Sequence, residues 1–480
     1  MRRTARGAFD LWAFALLAAL VRFPTLGRQS YWHDEAVTAA RVLRPTLGAT
    51  IGEVPDSESS PPLYYVLAWV WSRVFGTGEL GLRSLSAIFG VGTVVFVYLT
   101  AREVASRRAA RIAALLTAVN PFLVWYSQEA RAYALVTMLS AGSAWLLVRA
   151  LRDESPRWLV LWAVVSGLAL ATHYFALFLI APEAALLLYA HPRRRRALAA
   201  VAGTTVAGLA LLPLALDQAA AGRNDWIAHI ALGSRLRHLV EQLVAGEHGS
   251  PVAGVHVVAG LAFLAAVALA GRAMRGSAGR RLAYLAGAAA AVVVLPLAAI
   301  AVGQDFFLTK NLAPALPVVF VLAGVGLATL PMQLSRAWTA VLAAGFLAFT
   351  LATFFDAKVE RTDWRAVARA IAPDHPDLVV APAVGDDPLA YYLPGGATVV
   401  RAAAAVRRVD AIGWPVAGGH DSRPPTRGFR RRRGREVAGM DLVRYASPTP
   451  RRVSRRRALA ARIGVEPAKL VAPRFRAGGR

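Results

Sequence analysis

Leu282-Ala-Tyr-Leu-Ala-Gly-Ala-Ala-Ala-Ala-Val-Val-Val-Leu-Pro-Leu-Ala-Ala-Ile-Ala-Val302 carries no charge, with Arg280 and Arg281 before it and Asp305 after it. A helix of about 20 apolar residues spans the roughly 30 Å of bilayer hydrocarbon, where only the chain itself can satisfy backbone N–H and C=O groups. The stretch therefore reads as a transmembrane helix. Working outward, similar runs bounded by charge lie at 11–26, 84–101, 109–126, 132–148, 157–173, 174–190, 197–216, 252–270, 282–302, 312–331 and 337–355. The expectation is an α-helical polytopic membrane protein with about eleven spans, several of them nearer 16 residues than 20.

Composition agrees with that reading. Of 480 residues, 56% are hydrophobic and 18% charged, and the mean hydropathy is +0.45, above what a soluble chain carries. The 55 Lys and Arg against 29 Asp and Glu give +26, which on a folded soluble surface would suggest nucleic acid. Residues 401–480, however, hold 21 basic and 5 acidic residues, so most of the excess sits in the last sixth of the chain and no nucleic-acid partner is expected. Three of the basic residues are lysines: Lys310, Lys358 and Lys469. Zero cysteines exclude disulfides, thiolate metal sites and cysteine nucleophiles.

Charge placement sets the expected topology. Met1-Arg-Arg-Thr-Ala-Arg6 and the apolar run after it read as a retained first span. The run 61–75, with Arg73 near its end and rich in Tyr and Trp, reads as an interfacial or re-entrant helix. With that run excluded, the clusters around Arg102, Arg149, Arg193, Arg272 and Arg336 all fall on the side of the N-terminus, as the positive-inside rule requires. The N-terminus is then cytoplasmic in a multi-pass cell-membrane protein. Outside lie loop 27–83, the turn 125–131, the point 173–174, loop 217–251, the turn 304–311 and everything after Asp356. The expected domains are 1–356, transmembrane; 357–400, a small soluble α/β appendage with strands at 378–381 and 398–400; and 401–480, an Arg-rich, partly disordered tail.

No Walker A loop occurs. The pairs Gly90/Gly92 and Gly324/Gly326 lie inside apolar spans and read as close-packing sites between helices. The candidate chemistry gathers in the outside loops. Tyr31-Trp-His-Asp34-Glu35 places two carboxylates just beyond the first span. They suit a general base or a divalent ion, or else a solvated helix start. In Asn120-Pro-Phe-Leu-Val-Trp-Tyr-Ser-Gln128-Glu129-Ala-Arg131-Ala-Tyr133, Arg131 grips a phosphate, snorkels to the interface or pairs with Glu129. Lys310 and Asn311 suit an anionic head group or a snorkelling anchor. His173 and Tyr174 hydrogen-bond a substrate or cap a turn. Glu183, inside an apolar run, needs a partner, and an Arg of a neighbouring helix is the expected one.

The order Trp32-His-Asp-Glu35, Ser60-Pro-Pro-Leu-Tyr-Tyr65, Leu82-Arg-Ser-Leu-Ser-Ala87, Asn120-Pro through Glu129-Ala-Arg-Ala-Tyr133, Thr172-His-Tyr174 and Asp363-Trp-Arg365 resembles the GT-C integral-membrane glycosyltransferases. The resemblance is to the branch of the protein O-mannosyltransferases and the aminoarabinose lipid A transferase, over about residues 9–400. It implies sugar transfer from a polyprenyl-phosphate donor to a glycan, glycolipid or protein acceptor at the outer membrane face. By motif position it implies Asp34 as base, Glu35 beside it, and donor contacts from Arg131, Lys310, Glu129, Gln128, His173, Tyr174 and Asn311. The one cofactor it leaves room for is a divalent metal ion near Asp34. Two places depart from the pattern: Tyr133 and Ala134 stand where relatives often carry an acid, and Lys310-Asn311-Leu312 stands where they often read Arg-Tyr-Leu. The competing reading is a transporter or lipid flippase using Glu183 and Asp34 as relays. The polar groups gather at one face and no internal repeat is visible, whereas transporters commonly carry repeated halves with midplane sites.

Overall fold

The computed structural model describes residues 2–474 apart from 154, 192, 248, 250–253, 357–359, 402–403 and 416–421. The chain forms two compact units, residues 1–27 with 44–360, and residues 28–43 with 361–480.

Among the described residues every apolar run of the first unit is helical, but not every helix is long and apolar enough to cross a bilayer. Among the described residues seven are: Glu79–Val104, Tyr133–Ala150, Arg194–Ala220, Val255–Ala273, Gly279–Ile300, Thr309–Ala328 and Met332–Phe355. Arg107–Val119 and Pro121–Ser127 make an eighth if taken together, bent by 59°. The break is local chemistry. Asn120 Oδ1 accepts the Leu123 N–H at 3.0 Å, starting a new helix whose first residue is Pro121. Pro156–Leu170 and Tyr174–Ala190 are shorter apolar helices, and the first run lies in the helix Arg2–Arg22, which includes Arg2, Arg3, Arg6 and Asp10. Each of the eleven expected runs falls in one of these helices, and eight of them, the bent pair included, have the length and apolarity of a bilayer span. The multi-pass helical architecture stands.

Within this unit Thr309–Ala328 and Tyr133–Ala150 form the buried centre, whereas Arg194–Ala220 leaves most of its surface bare, as a lipid-facing helix does. The glycine pairs act as expected. A Cβ at Gly324 would come 2.6 Å from the Ala113 Cβ, one at Gly92 2.5 Å from the Met138 sulfur, and one at Gly326 would collide with the Ala266 carbonyl. Glu183 takes a different partner from the one expected: it accepts from Trp162 Nε1 at 2.8 Å and Ser143 Oγ at 3.3 Å, not from an arginine.

The run read as interfacial is the helix Leu63–Phe75, buried along Tyr64, Tyr65, Ala68 and Ser72. Its 13 residues reach about 20 Å at roughly 1.5 Å per residue, too short for the hydrocarbon core. Val70, Val74 and Phe75 are exposed on it, which suits an apolar surface. The region 217–251 is largely helical rather than a loop, with Leu232–Ala245 as its main element.

The second unit is built on a six-stranded sheet of order β2-β6-β1-β3-β5-β4, where β1 is Leu378–Pro382, β2 Ala397–Val399, β3 Ala404–Gly413, β4 Arg430–Val437, β5 Met440–Val453 and β6 Ala468–Pro473. β1 and β3 are parallel, with Leu378 opposite Val409, and the other pairings are antiparallel. β1 is apolar throughout because both faces are covered. Val379 and Ala381 pack with Trp364, Val367 and Leu389 on one side. Leu378 and Val380 pack with Val409, Val443 and Ile463 on the other.

The expected division at residue 400 is corrected. Residues 404–473 supply four of the six strands, and residues 28–43 of the first loop belong to this same unit. The arginines mislead a compositional reading because they alternate with, or flank, buried positions such as Val406, Val409, Leu442 and Val443. The described residues of β4, the Arg-rich edge strand, put charge where another strand would otherwise add.

Candidate active site

In the second unit, the stretch after the first span is a single helical turn, His33–Ala36, running into the π-helical turn Val37–Val42. Ser30 starts it. Its Oγ accepts the Trp364 N–H at 3.0 Å and donates to the Thr362 carbonyl at 3.2 Å. The Tyr31 N–H donates to the Tyr392 hydroxyl at 2.7 Å, and the Tyr31 ring meets Tyr391 edge-on at 5.2 Å between centroids. Glu35 is fully buried, and its Oε2 accepts from Arg361 Nη1 at 2.7 Å. Its neighbour Asp34 is half-buried, and the Asp34 carbonyl accepts from Thr38 Oγ1 at 3.3 Å. The adjacent carboxylates thus differ in environment: Glu35 is sealed against a cation, and Asp34 is partly open.

Arg41 donates from Nη2 to both oxygens of Asp387, each at 2.7 Å. Lys469 Nζ donates to Asp386 Oδ2 at 2.6 Å. Burial and the neighbouring Asp386 charge push the Asp387 carboxyl up, with Arg41 pulling the other way. His33, Asp386 and Asp387 offer three ligand atoms within 4.8 Å of one another, a donor set of the kind that holds divalent ions. The Asp386 Oδ1 and His33 Nδ1 atoms are buried without a hydrogen-bond partner. Arg41 and Lys469 match the two carboxylate charges.

The first unit holds the other candidates. Both terminal nitrogens of Arg131 donate to Glu58, Nη1 to Oε1 at 2.6 Å and Nη2 to Oε2 at 2.7 Å. This is a bidentate pair in which Glu58 is 2% exposed. None of the readings of Arg131 from the sequence, a bound phosphate, snorkelling or Glu129, names this partner. Lys310 Nζ lies 5.5 Å from the centroid of Tyr133, whose ring is 5.6 Å from that of His173. His173 Nδ1 accepts the Phe175 N–H at 3.2 Å, which fixes Nδ1 as the unprotonated nitrogen. Burial and the charges of Lys310 and Arg131 pull the His173 pKa down to about 4, so the ring is neutral at physiological pH.

The remaining expected residues are committed elsewhere in this unit. Gln128 Nε2 donates to the Arg22 carbonyl at 2.5 Å and to Thr25 Oγ1 at 2.8 Å, closing the end of the first helix. Tyr174 donates to Gln218 Oε1 at 2.8 Å. Asn311 Nδ2 donates to the Phe306 carbonyl at 2.8 Å, a turn contact. Glu129 is fully buried. Of the nine residues singled out in the sequence, Arg131, His173 and Lys310 share one electrostatic neighbourhood, and Asp34 and Glu35 share one turn. Sequence reasoning missed Glu58, Arg41, Arg361, Asp386 and Asp387. Asp386-Asp387, an acidic pair in a Pro/Gly-rich stretch, was the one local signal available.

Residues 59–216 match the family model of the dolichyl-phosphate-mannose-protein mannosyltransferases. The chain is 27% identical over 196 residues to the YkcB protein of Bacillus subtilis (strain 168), covering 39% of this chain and about a quarter (26%) of that protein's length. It is similar in structure to ArnT from Cupriavidus metallidurans in the apo state, with a TM-score of 0.56 at 18% identity over 81% of this chain and 85% of that one. It is also similar to the same protein bound to undecaprenyl phosphate, with a TM-score of 0.53 at 18% identity over 80% and 85%. A likeness over four-fifths of both chains, with a mannosyltransferase pattern in its first half, identifies the fold as that of the GT-C membrane glycosyltransferases.

Proposed function

We propose that this protein transfers a sugar from a polyprenyl-phosphate donor to an acceptor hydroxyl at the outer face of the cytoplasmic membrane, with inversion at the anomeric carbon. The observation that carries the reading is the structural likeness to ArnT, which has been solved with undecaprenyl phosphate bound, together with the mannosyltransferase pattern across residues 59–216. That pattern favours a hexosyl donor of the mannosyl type.

Asp34 is the general base. It takes the proton of the acceptor hydroxyl as that oxygen attacks the anomeric carbon, and the carbon–oxygen bond to phosphate breaks on the opposite face. The electron pair leaves with the polyprenyl phosphate, whose charge Lys310 meets, with Arg131 as a second positive charge. Glu35, sealed in its ion pair with Arg361, orients the turn and does not accept the proton. Neutral His173, with Nδ1 occupied by Phe175, is a hydrogen-bond donor through Nε2. The acceptor is a glycan, a glycolipid or a protein.

The test is incorporation of radiolabelled mannose from a polyprenyl-phosphate donor by the purified protein in liposomes. Transfer to a membrane or protein acceptor is expected, and Asp34→Asn should lower the rate by a factor of about 10² to 10⁴. Near-wild-type turnover by Asp34→Asn would remove Asp34 from the mechanism. Translocation of the intact donor without sugar transfer would replace the enzyme by a flippase.

A further inference from the structure

The turn that carries Asp34 follows the first span in sequence, yet it is tied by side-chain and backbone contacts to residues more than 320 positions later. Four ties are made within twelve residues: Ser30 to Thr362 and Trp364, Tyr31 to Tyr391 and Tyr392, Glu35 to Arg361, and Arg41 to Asp387. Two precede Asp34 in the chain and two follow it. Ser30, Tyr31, Glu35, Trp364 and Asp387 are all buried, and Arg361 is half-buried as a residue with its side chain 5% exposed. Such contacts do not form by chance at a surface. Two charges taken out of water cost several kcal/mol each and are retained only where geometry and further hydrogen bonds repay them.

A solvated loop would leave a base free to wander, and a misplacement of about 1 Å can cost roughly a hundredfold in rate. We propose that the C-terminal unit is the device that positions the base: Arg361 through Glu35, and Asp387 through Arg41, fix the turn 30–41 and thereby set where Asp34 stands. Arg361, Glu35, Arg41 and Asp387 are positioning residues, because none of them touches the reacting atoms. On this inference the region after residue 360 is part of the catalytic apparatus. The turn, in its folded form, needs the sheet, since Asp386–Tyr392 is a helix packed through Leu389 on the β1 face. The inference rests on the reading of Asp34 as base, and the test separates the two.

The native chain has no cysteine, so Ala39→Cys, at a buried position of the turn, gives a background-free probe. In otherwise native protein its maleimide labelling should be slow. Adding Arg361→Gln should raise the labelling rate by about tenfold or more, since opening of the turn governs access. In the native-cysteine-free background, Arg361→Gln should lower kcat by about 10- to 100-fold with donor KM changed by less than about threefold. That split marks loss of orientation rather than loss of donor binding. Arg361→Lys, which keeps the charge, should recover much of both readouts, and Asp387→Asn should move both in the same direction by a smaller factor. These two milder variants keep the test informative if Arg361→Gln does not fold. Unchanged labelling and unchanged kcat in Arg361→Gln and Asp387→Asn would overturn the clamp while leaving Asp34 as base. Full turnover by Asp34→Asn would overturn the base, and with it the catalytic purpose of the clamp, even where labelling responds.

Discussion

Glu58 and Arg131 show how a buried charge is decided by its partner. Because both terminal nitrogens of Arg131 are spent on Glu58, removing either partner strands the other in a buried setting. Arg131→Gln should cost about 3–5 kcal/mol and lower the thermal unfolding midpoint in detergent, with Glu58→Gln/Arg131→Gln recovering part of that loss. Lys310→Gln should weaken use of the donor about tenfold to a hundredfold, the worth of one charge-assisted hydrogen bond. Donor-concentration kinetics separate the two residues. If Arg131→Gln is as stable as wild type but loses donor affinity, the roles assigned here are exchanged.

A second residue ties stability to pH. Asp410 lies on β3, 2% exposed. Burial raises its pKa to about 7, and Arg444, whose Nε is 3.6 Å away, pulls it down too weakly to compensate. An unfolded aspartate titrates near 3.9. Between about pH 4 and pH 7 the folded state holds the extra proton, so stability falls as pH rises through that window and stays low above it. Asp410→Asn should make the sheet more protected at pH 8 than in wild type, while at pH 4 the two should be alike. Hydrogen exchange at β3 amides, corrected for intrinsic rates, checks this. Equal protection at pH 8 would place the Asp410 titration lower.

At the level of elements, two turns of phrase in the sequence fix geometry. Val437-Ala438-Gly439-Met440 closes β4 onto β5 in a two-residue hairpin, with Val437 opposite Met440 and positive φ at both central residues, 53° at Ala438 and 75° at Gly439. A turn of that hand suits Asn-Gly, whereas alanine there carries a steric cost of about 1 kcal/mol. Ala438→Asn should therefore stabilise the hairpin by about 0.5–1 kcal/mol, seen as slower amide exchange in β4 and β5. Faster exchange would contradict it. In the first unit, Gly324 and Gly326 let the helix Leu316–Ala328 lie against Ala113 and Ala266. Gly326→Val faces backbone rather than a flexible side chain and should cost at least the 1–3 kcal/mol typical of overpacking. Reduced yield of folded protein in detergent, with normal expression, is the expected result.

For the whole molecule, the arginine-rich short loops predict an N-terminus inside and the sheet unit outside. Thr449→Cys, on the exposed part of β5, should react with an impermeant maleimide in intact cells, and Ala105→Cys, in the exposed turn after Glu79–Val104, should not. Labelling at Ala105 alone would invert the topology and place the proposed chemistry on the cytoplasmic side. Glu183, on which a transport reading would lean, is fully buried against Trp162 and Ser143.

Hydropathy and charge by themselves determined that the chain is a bundle of membrane helices, because a bilayer enforces backbone pairing and apolar length locally, span by span. They also made Gly324 and Gly326 legible as packing sites and Leu63–Phe75 as a helix too short to cross. Local motifs put Asp34, Glu35, Arg131 and Lys310 on the page as candidates. Only the tertiary structure decided their partners, since an ion pair is set by where two distant segments meet. Arg131 found Glu58 at 73 residues' separation, and Glu35 found Arg361 at 326. It decided equally that four strands, β3 to β6, form within residues 404–473, where composition alone suggested disorder. Burial of alternate residues such as Val409 and Val443 outweighs the arginines between them, and no count of charges records which side chains point inward.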